Sequence, residues 1–302
     1  MSGDNEGTSC CASCGVAETD DIKLVPCDGC DLVKYCSDEC RENHKSQHKK
    51  ECKKRAAELR DELLFKQPES THLGDCPICM IPLPYDITKT AVYNCCSKSI
   101  CNGCVYANQM REIEMRLQQS CPFCREPVPR IDDEEHEKLR AKRVEANDPA
   151  AMCSMGLDQY DKGDYRSAFE CFTKAAELGD AEAHFRQSIL YRDGDGVEKN
   201  KRKEMHHLEE AAIGGHFAAR NNLGVTEIQN GRRERAVKHW IIGAAQGEDE
   251  SIKSLMRAFR EGFVRKDDLA SAIRAHRAAV DETKSPQREA AEKYYRQSIN
   301  HE

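Results

Sequence analysis

Residues 76–79 read CPIC, residues 95–96 CC, residues 101–104 CNGC and residues 121–125 CPFCR. Eight cysteines in four pairs therefore fall within a single stretch, residues 76–125. Two cysteines separated by two residues deliver two thiolates from one tight turn, which is what tetrahedral zinc requires. Random placement of the chain's 18 cysteines over 302 residues gives about one such pair. Five occur: Cys11/Cys14, Cys27/Cys30, Cys76/Cys79, Cys101/Cys104 and Cys121/Cys124. The excess points to metal rather than to scattered core cysteines.

Composition frames that reading. Lys and Arg number 46 against 53 Asp and Glu, a formal charge of −7. A net acidic chain is a poor partner for a phosphate backbone, so nucleic acid is not an expected ligand. Aromatics are 6% with a single Trp, and charged residues are 33%. That fits several small modules and surface-rich helices rather than one large enzyme core. The opening MSGDNEGTS has no apolar signal region, and no run of eighteen apolar residues occurs. No membrane partner is expected, and the expected setting is a reducing cytoplasmic or nuclear compartment, where thiols take up zinc.

Before the cysteine-rich stretch lies a second ligand set. Residues 1–9 are polar and expected to be disordered. Then come Cys11 and Cys14, Cys27 and Cys30, Cys36 and Cys40, and His48 and Cys52. Ser37 is placed to cap a short helix over residues 39–48, which sets His48 and Cys52 four apart on one face. Cys10 competes with Cys11; Cys11 is preferred because it forms the tighter CxxC clip. These residues resemble a MYND-type zinc finger over residues 10–54. The resemblance implies two interleaved zinc sites, Cys11/Cys14/Cys36/Cys40 and Cys27/Cys30/His48/Cys52, and a peptide-binding module, often for proline-containing motifs.

The stretch 76–130 resembles a RING-type finger in an all-cysteine form. That resemblance implies one zinc on Cys76, Cys79, Cys101 and Cys104 and another on Cys95, Cys96, Cys121 and Cys124. Cys95 and Cys96 are adjacent, where the family has a spacer, so whether both bind stays open. Four zinc ions are expected in the chain, two per finger. A helix is expected over residues 105–119, with Tyr106, Met110, Ile113 and Leu117 on the face that packs against the zinc loops. If the family's activity carries over, Ile78 and Pro122 form a shallow apolar groove for a ubiquitin-conjugating enzyme. Arg125 then contacts both that enzyme and its ubiquitin. The planar guanidinium suits this because it offers several fixed donors. No cysteine carries ubiquitin in such a ligase, and catalysis is by positioning. The aromatic often found before the seventh ligand is replaced here by residues 117–120.

Two linkers separate these modules from the rest: a helical one over residues 55–75 and a charged one over residues 131–148, where Asp132 and Glu135 form a possible capping box. From residue 149 to 299 the pattern becomes a repeat. Tyr160, Tyr191, Ile228 and Phe259 each precede a Gly by three residues, at intervals of 31, 37 and 31. Small-residue clusters follow at Ala175–Ala176–Gly179, Ala211–Ala212–Gly215 and Gly243–Ala244–Gly247. A period in this range indicates stacked helix pairs. The residues resemble Sel-one-like repeats, relatives of tetratricopeptide repeats, with the best match at residues 191–197. Cys153 and Cys171 read as core residues and Trp240 as packed between helices.

The fold class expected is multidomain: two small zinc-stabilised α+β cross-brace fingers followed by an all-α helical-repeat solenoid. Two functions compete. The leading one is a RING-type ubiquitin-protein ligase whose MYND finger and repeats bind substrates. The other is a non-enzymatic zinc-finger and repeat scaffold for protein–protein interaction. A methyltransferase is set aside, because no SET-type motif accompanies the MYND-like residues.

Overall fold

The computed structural model describes residues 9–129 and 134–299. The expectation of disorder over residues 1–9 falls, but for Ser9, on residues outside these, as does the Asp132 cap. The chain divides into two compact units, one up to Lys66 and one from Gln67 onward.

In the first unit, β1 (Val25–Pro26) pairs antiparallel with β2 (Lys34–Tyr35). The helix α1 (Asp38–Leu64) follows. Ser37 caps it as its sequence position indicates, with Oγ accepting from Cys40 N–H at 3.2 Å. Asp38 and Glu39 occupy the first turn, where the helix dipole favours acids. The helix does not stop near residue 48. It runs 27 residues and absorbs the stretch read as a linker helix, because no Gly or Pro interrupts it before Pro68. Cys11, Leu24 and Tyr35 form the small buried core.

The second unit begins with the cysteine-rich stretch. A hairpin of β3 (Thr90–Tyr93) and β4 (Lys98–Cys101) sets Thr90 opposite Cys101 and Tyr93 opposite Lys98. Its turn carries Cys95 and Cys96 and closes with Ser97 N–H on the Tyr93 carbonyl at 2.7 Å. The helix α2 (Asn102–Met115) starts directly on the hairpin, three residues earlier than the sequence predicts, and ends four residues earlier. Arg116 adopts a left-handed φ of 52°, and Leu117 N–H closes back on the Glu112 carbonyl at 2.8 Å. The face that packs inward is also different from the expected one. Cys104, Val105, Asn108 and Glu112 are buried, whereas Ile113 is 64% and Leu117 47% exposed. Cys104, in the first turn, lies on the buried stripe within reach of Cys76, Cys79 and Cys101, which leaves the apolar stripe turned away.

The remaining chain is helical: α3 (Glu134–Glu145), α4 (Pro149–Asp161), α5 (Tyr165–Glu177), α6 (Ala181–Asp193), α7 (Lys201–Ile213), α8 (Phe217–Gln229), α9 (Arg233–Ala245), α10 (Asp249–Arg260), α11 (Lys266–Glu282) and α12 (Pro286–Ile299). Successive helices pack as hairpins, α4 on α5, α6 on α7 and α8 on α9. The small-residue clusters are the contact surfaces: Ala175, Ala211, Ala212 and Ala244 are fully buried. Close approach needs glycine at several helical sites, Gly156 and Gly224 among them. A Cβ on Gly156 would lie 2.6 Å from the Phe172 ring, and one on Gly224 would lie 2.3 Å from Trp240 Nε1. Trp240 is therefore packed between helices, as read from sequence. Cys153 is buried and Cys171 half-buried.

Two straps bind the cysteine-rich stretch to the solenoid within this unit. Residues 70–72 lie on the turn at Gly215, where His72 N–H reaches the Gly215 carbonyl at 3.2 Å, and Tyr85 meets Phe217 edge-on at 4.4 Å. At the far end, α12 returns to lie along α2. Tyr294 packs on Tyr106 at 5.0 Å, and Tyr295 Oη donates to Gln109 Oε1 at 2.9 Å.

Candidate metal centres

The fold collects sixteen side chains into four sets of four. They are Cys11/Cys14/Cys36/Cys40, Cys27/Cys30/His48/Cys52, Cys76/Cys79/Cys101/Cys104 and Cys95/Cys96/Cys121/Cys124. The pairing is interleaved in both fingers. Cys10 is exposed and outside the first set, so the competition between Cys10 and Cys11 resolves to Cys11 geometrically. Cys95 and Cys96 both point into the fourth set.

Helix α1 supplies Cys40, His48 and Cys52 to the first two sets, and the other ligands come mostly from turns and the hairpin. In the knuckle at Cys76 and Cys79, Cys76 N–H bonds the Ile81 carbonyl at 3.0 Å and Met80 N–H bonds the Cys76 carbonyl at 2.9 Å. Cys121 and Cys124 repeat this arrangement. Cys121 N–H reaches Glu126 O at 2.8 Å and Arg125 N–H reaches Cys121 O at 3.0 Å. Met80 and Arg125 take matching left-handed φ values of 54° and 66°. The other two pairs arrive on the hairpin and on the first turn of α2.

Distances and charge both test whether zinc fits. Tetrahedral Zn–S bonds of about 2.3 Å place sulfurs roughly 3.8 Å apart. Cys27–Cys52, Cys79–Cys101 and Cys96–Cys121 stand at 3.8 Å, Cys36–Cys40 at 3.6 Å and Cys14–Cys36 at 3.5 Å. A disulfide needs about 2.05 Å. His48 Nε2 faces Cys30 Sγ at 3.1 Å, and stacking on His44 orients its ring.

In each set the thiols divide the same way. Hydrogen bonding from Cys101 lowers Cys76 to about 4, while that same contact pushes Cys101 up and burial pushes Cys104 to about 12. In the first set, burial of Cys11 is outweighed by backbone N–H groups, chiefly of Cys14 and Cys36, and its thiol falls to about 6; contact with Cys14 lifts Cys36 to about 12. Cys27 falls and Cys52 rises to about 11; Cys124 falls while burial raises Cys95, and Cys96 to about 11. Within each set, burial and contact with neighbouring sulfurs favour the thiol form of at least one cysteine while another is favoured as thiolate. A divalent cation removes that conflict, and zinc is the ion these soft donors expect.

A fifth group of possible ligands lies elsewhere: His72, Glu182 and His216. Its hydrogen bonds argue for a structural role. His216 Nδ1 accepts from Ala219 N–H at 3.2 Å as the cap of α8, so Nε2 carries the proton and donates to Glu182 Oε2 at 2.9 Å. A protonated nitrogen has no lone pair for a metal. Burial holds His216 neutral, at about 4, and Arg186 Nε bonds the other Glu182 oxygen at 2.6 Å.

Of the residues read as contacts for a conjugating enzyme, Ile78 is 41% exposed and Arg125 is exposed, but Pro122 is buried. Asn108 and Glu112 were not legible as site residues. Asn108 joins Arg125 to α2, and Glu112 accepts from Asn108 Nδ2 at 2.7 Å and Ser120 Oγ at 2.7 Å. Both lie in the helix expected over residues 105–119 but off the apolar stripe read there, and a polar residue on a helix carries no marker for such a role.

Two family models match the chain: the MYND finger over residues 11–52, and the Sel1 repeat over residues 149–180 and 181–216. The chain thus carries a MYND zinc finger and Sel1 repeats, both protein-interaction modules. Among solved structures it is similar to a Sel1 repeat protein from Oxalobacter formigenes, at 20% identity and a TM-score of 0.41, covering 58% of this chain and 72% of that one. It is also similar to c5321, a protective antigen present in uropathogenic Escherichia coli strains that displays an SLR fold. There the identity is 22% and the TM-score 0.38, with 53% of this chain and 36% of that chain covered. No curated protein matches as a relative. Among the described residues no helix is long and apolar enough to cross a membrane.

Proposed function

We propose that this protein is a zinc-dependent scaffold for protein–protein interaction. The observation that carries it is the closure of the four ligand sets. Each supplies four protein donors, which leaves no coordination position for water or substrate, and closed sets of this kind belong to structural zinc. The metal supplies folding free energy to two fingers whose apolar cores are small. The chain's own residues do the rest: knuckle N–H groups hold the thiolates in place, and the helix pairs present an extended surface. The MYND finger binds short proline-containing peptides, and the repeats bind a second protein. Full-length protein titrated with a panel of such peptides, zinc-loaded and then chelated, tests this. Binding that persists unchanged after chelation sinks it.

A second reading, a RING-type ligase on residues 76–130, is favoured by exposed Ile78 and by Arg125 directly after Cys124, the last cysteine of that stretch. Buried Pro122 weighs against it, since it narrows the apolar groove. Incubation with activating enzyme, a panel of conjugating enzymes and ubiquitin separates the two. The scaffold predicts no discharge of charged conjugating enzyme above background. Discharge that disappears in Arg125→Ala with zinc retained establishes the ligase.

A further inference from the structure

Arg288, on α12, lies 209 residues from Cys79, yet its Nη2 donates to Cys79 Sγ at 3.5 Å. The same nitrogen donates to the Ile81 carbonyl at 3.0 Å, and Nη1 donates to Pro82 O at 2.6 Å and Thr283 O at 2.7 Å. Ile81 O is also the acceptor for Cys76 N–H, so one carbonyl joins the knuckle to the guanidinium. The backbone is fitted to this approach. Gly103 lies between Cys101 and Cys104, and a Cβ there would stand 2.9 Å from Arg288 Cγ and 3.0 Å from its Cα.

We propose that Arg288 is an outer-shell positioning residue of the Cys76/Cys79/Cys101/Cys104 zinc site, so that α12, the helix that follows the solenoid and lies along α2, is part of that metal centre. The reason is charge. Zinc held by four thiolates is a centre of net charge −2. A guanidinium donating to one of the thiolate sulfurs offsets part of that charge, and its remaining donors hold the loop that presents Cys76 and Cys79. The coupling is reciprocal: whatever draws α12 away loosens the metal, and loss of the metal frees α12. A partner that grips α12 therefore acts on zinc retention in the finger.

The proposal rests on the zinc reading, and a wild-type zinc content below four per chain would fail that reading before any variant is compared. Zinc release from the full chain into excess colorimetric chelator is followed for wild type, Arg288→Ala, Arg288→Lys and Tyr295→Ala. Outer-shell changes typically cost about 10–100-fold in metal affinity. One zinc of the four should leave at least about tenfold faster in Arg288→Ala, with Arg288→Lys intermediate because it keeps the charge and loses the fork. Release at the wild-type rate in Arg288→Ala overturns the proposal. So does equal acceleration in Arg288→Ala and Tyr295→Ala, because the effect is then helix docking alone.

Discussion

Arg125 Nη1 donates to Asn108 Oδ1 at 2.5 Å, tying the residue after Cys124 to the buried face of α2. Asn108 is not a passive acceptor. Its Nδ2 donates to Glu112 Oε1 and, at 3.2 Å, to the Ser120 carbonyl just before Cys121. Asn108→Ala leaves the buried Glu112 carboxylate with one donor fewer and Ser120 O unpaired by that side chain. The loss should be about 1–3 kcal/mol in the finger. Thermal denaturation followed by zinc release checks it: the finger's transition should fall while the solenoid's transition holds.

Zinc content is the plainest test of the four ligand sets. Elemental analysis of purified full-length protein should return four zinc ions per chain, and a value of two would leave one finger without metal. Chelation should then unfold the fingers selectively. The helices α4 to α11 contain none of the sixteen ligands, so most of the far-ultraviolet helix signal should survive. A collapse of that signal would mean that the solenoid depends on zinc throughout.

Gly224 offers a sharp test of the repeat packing. It sits inside α8, and an added methyl would lie 2.3 Å from Nε1 and 2.7 Å from Cδ1 of Trp240. Overpacking of this kind typically costs about 1–3 kcal/mol. Trp240 is the sole tryptophan, so its emission reports the site directly. Gly224→Ala should shift that emission to the red and lower the denaturation midpoint. Gly231→Ala makes the control for steric contact, because no atom lies within 4 Å of its added methyl, although its φ of 74° adds backbone strain.

What could be read from sequence was what is local. The CxxC pairs, the Ser37 cap, the Gly179, Gly215 and Gly247 turns and the position of Trp240 all follow from neighbours a few residues away. The misreadings concern what a local pattern must face. Ile113 and Leu117 make an acceptable apolar stripe, but Cys104 lies on the buried stripe with its set, which leaves the apolar one turned away. The Arg288 contact and the Glu182–His216 bond join residues far apart in the chain, and no periodicity marks them. Likewise α1 runs on because nothing stops it, and its division into finger and linker reflected a change of role rather than of structure.

Glu248 gives the pH dependence. It occupies the repeat position that Asp180 and His216 hold in earlier pairs. Those two cap their helices, with Asp180 Oδ1 accepting from Ala183 N–H at 2.7 Å. Glu248 makes no such cap; its carboxyl is buried and pairs with Ser251 Oγ. Burial, with smaller repulsion from Glu250 and Asp249, raises it from 4.5 to about 7. A raised carboxyl binds its proton in the folded state at pH values where the unfolded chain has released it. Stability from this group is therefore full below pH 4.5 and declines as pH rises towards 7. A shift of this size corresponds to roughly 3 kcal/mol. The histidines act in the opposite sense. Burial lowers His207 and His216 to about 4 each, so they add stability as pH rises from 4 to 6.5. Comparing Glu248→Gln with wild type cancels them. Urea denaturation at pH 5 and pH 8 should show wild type losing stability relative to Glu248→Gln on going to pH 8. A difference between the two proteins that does not change with pH would mean that Glu248 is ionised in the folded state throughout.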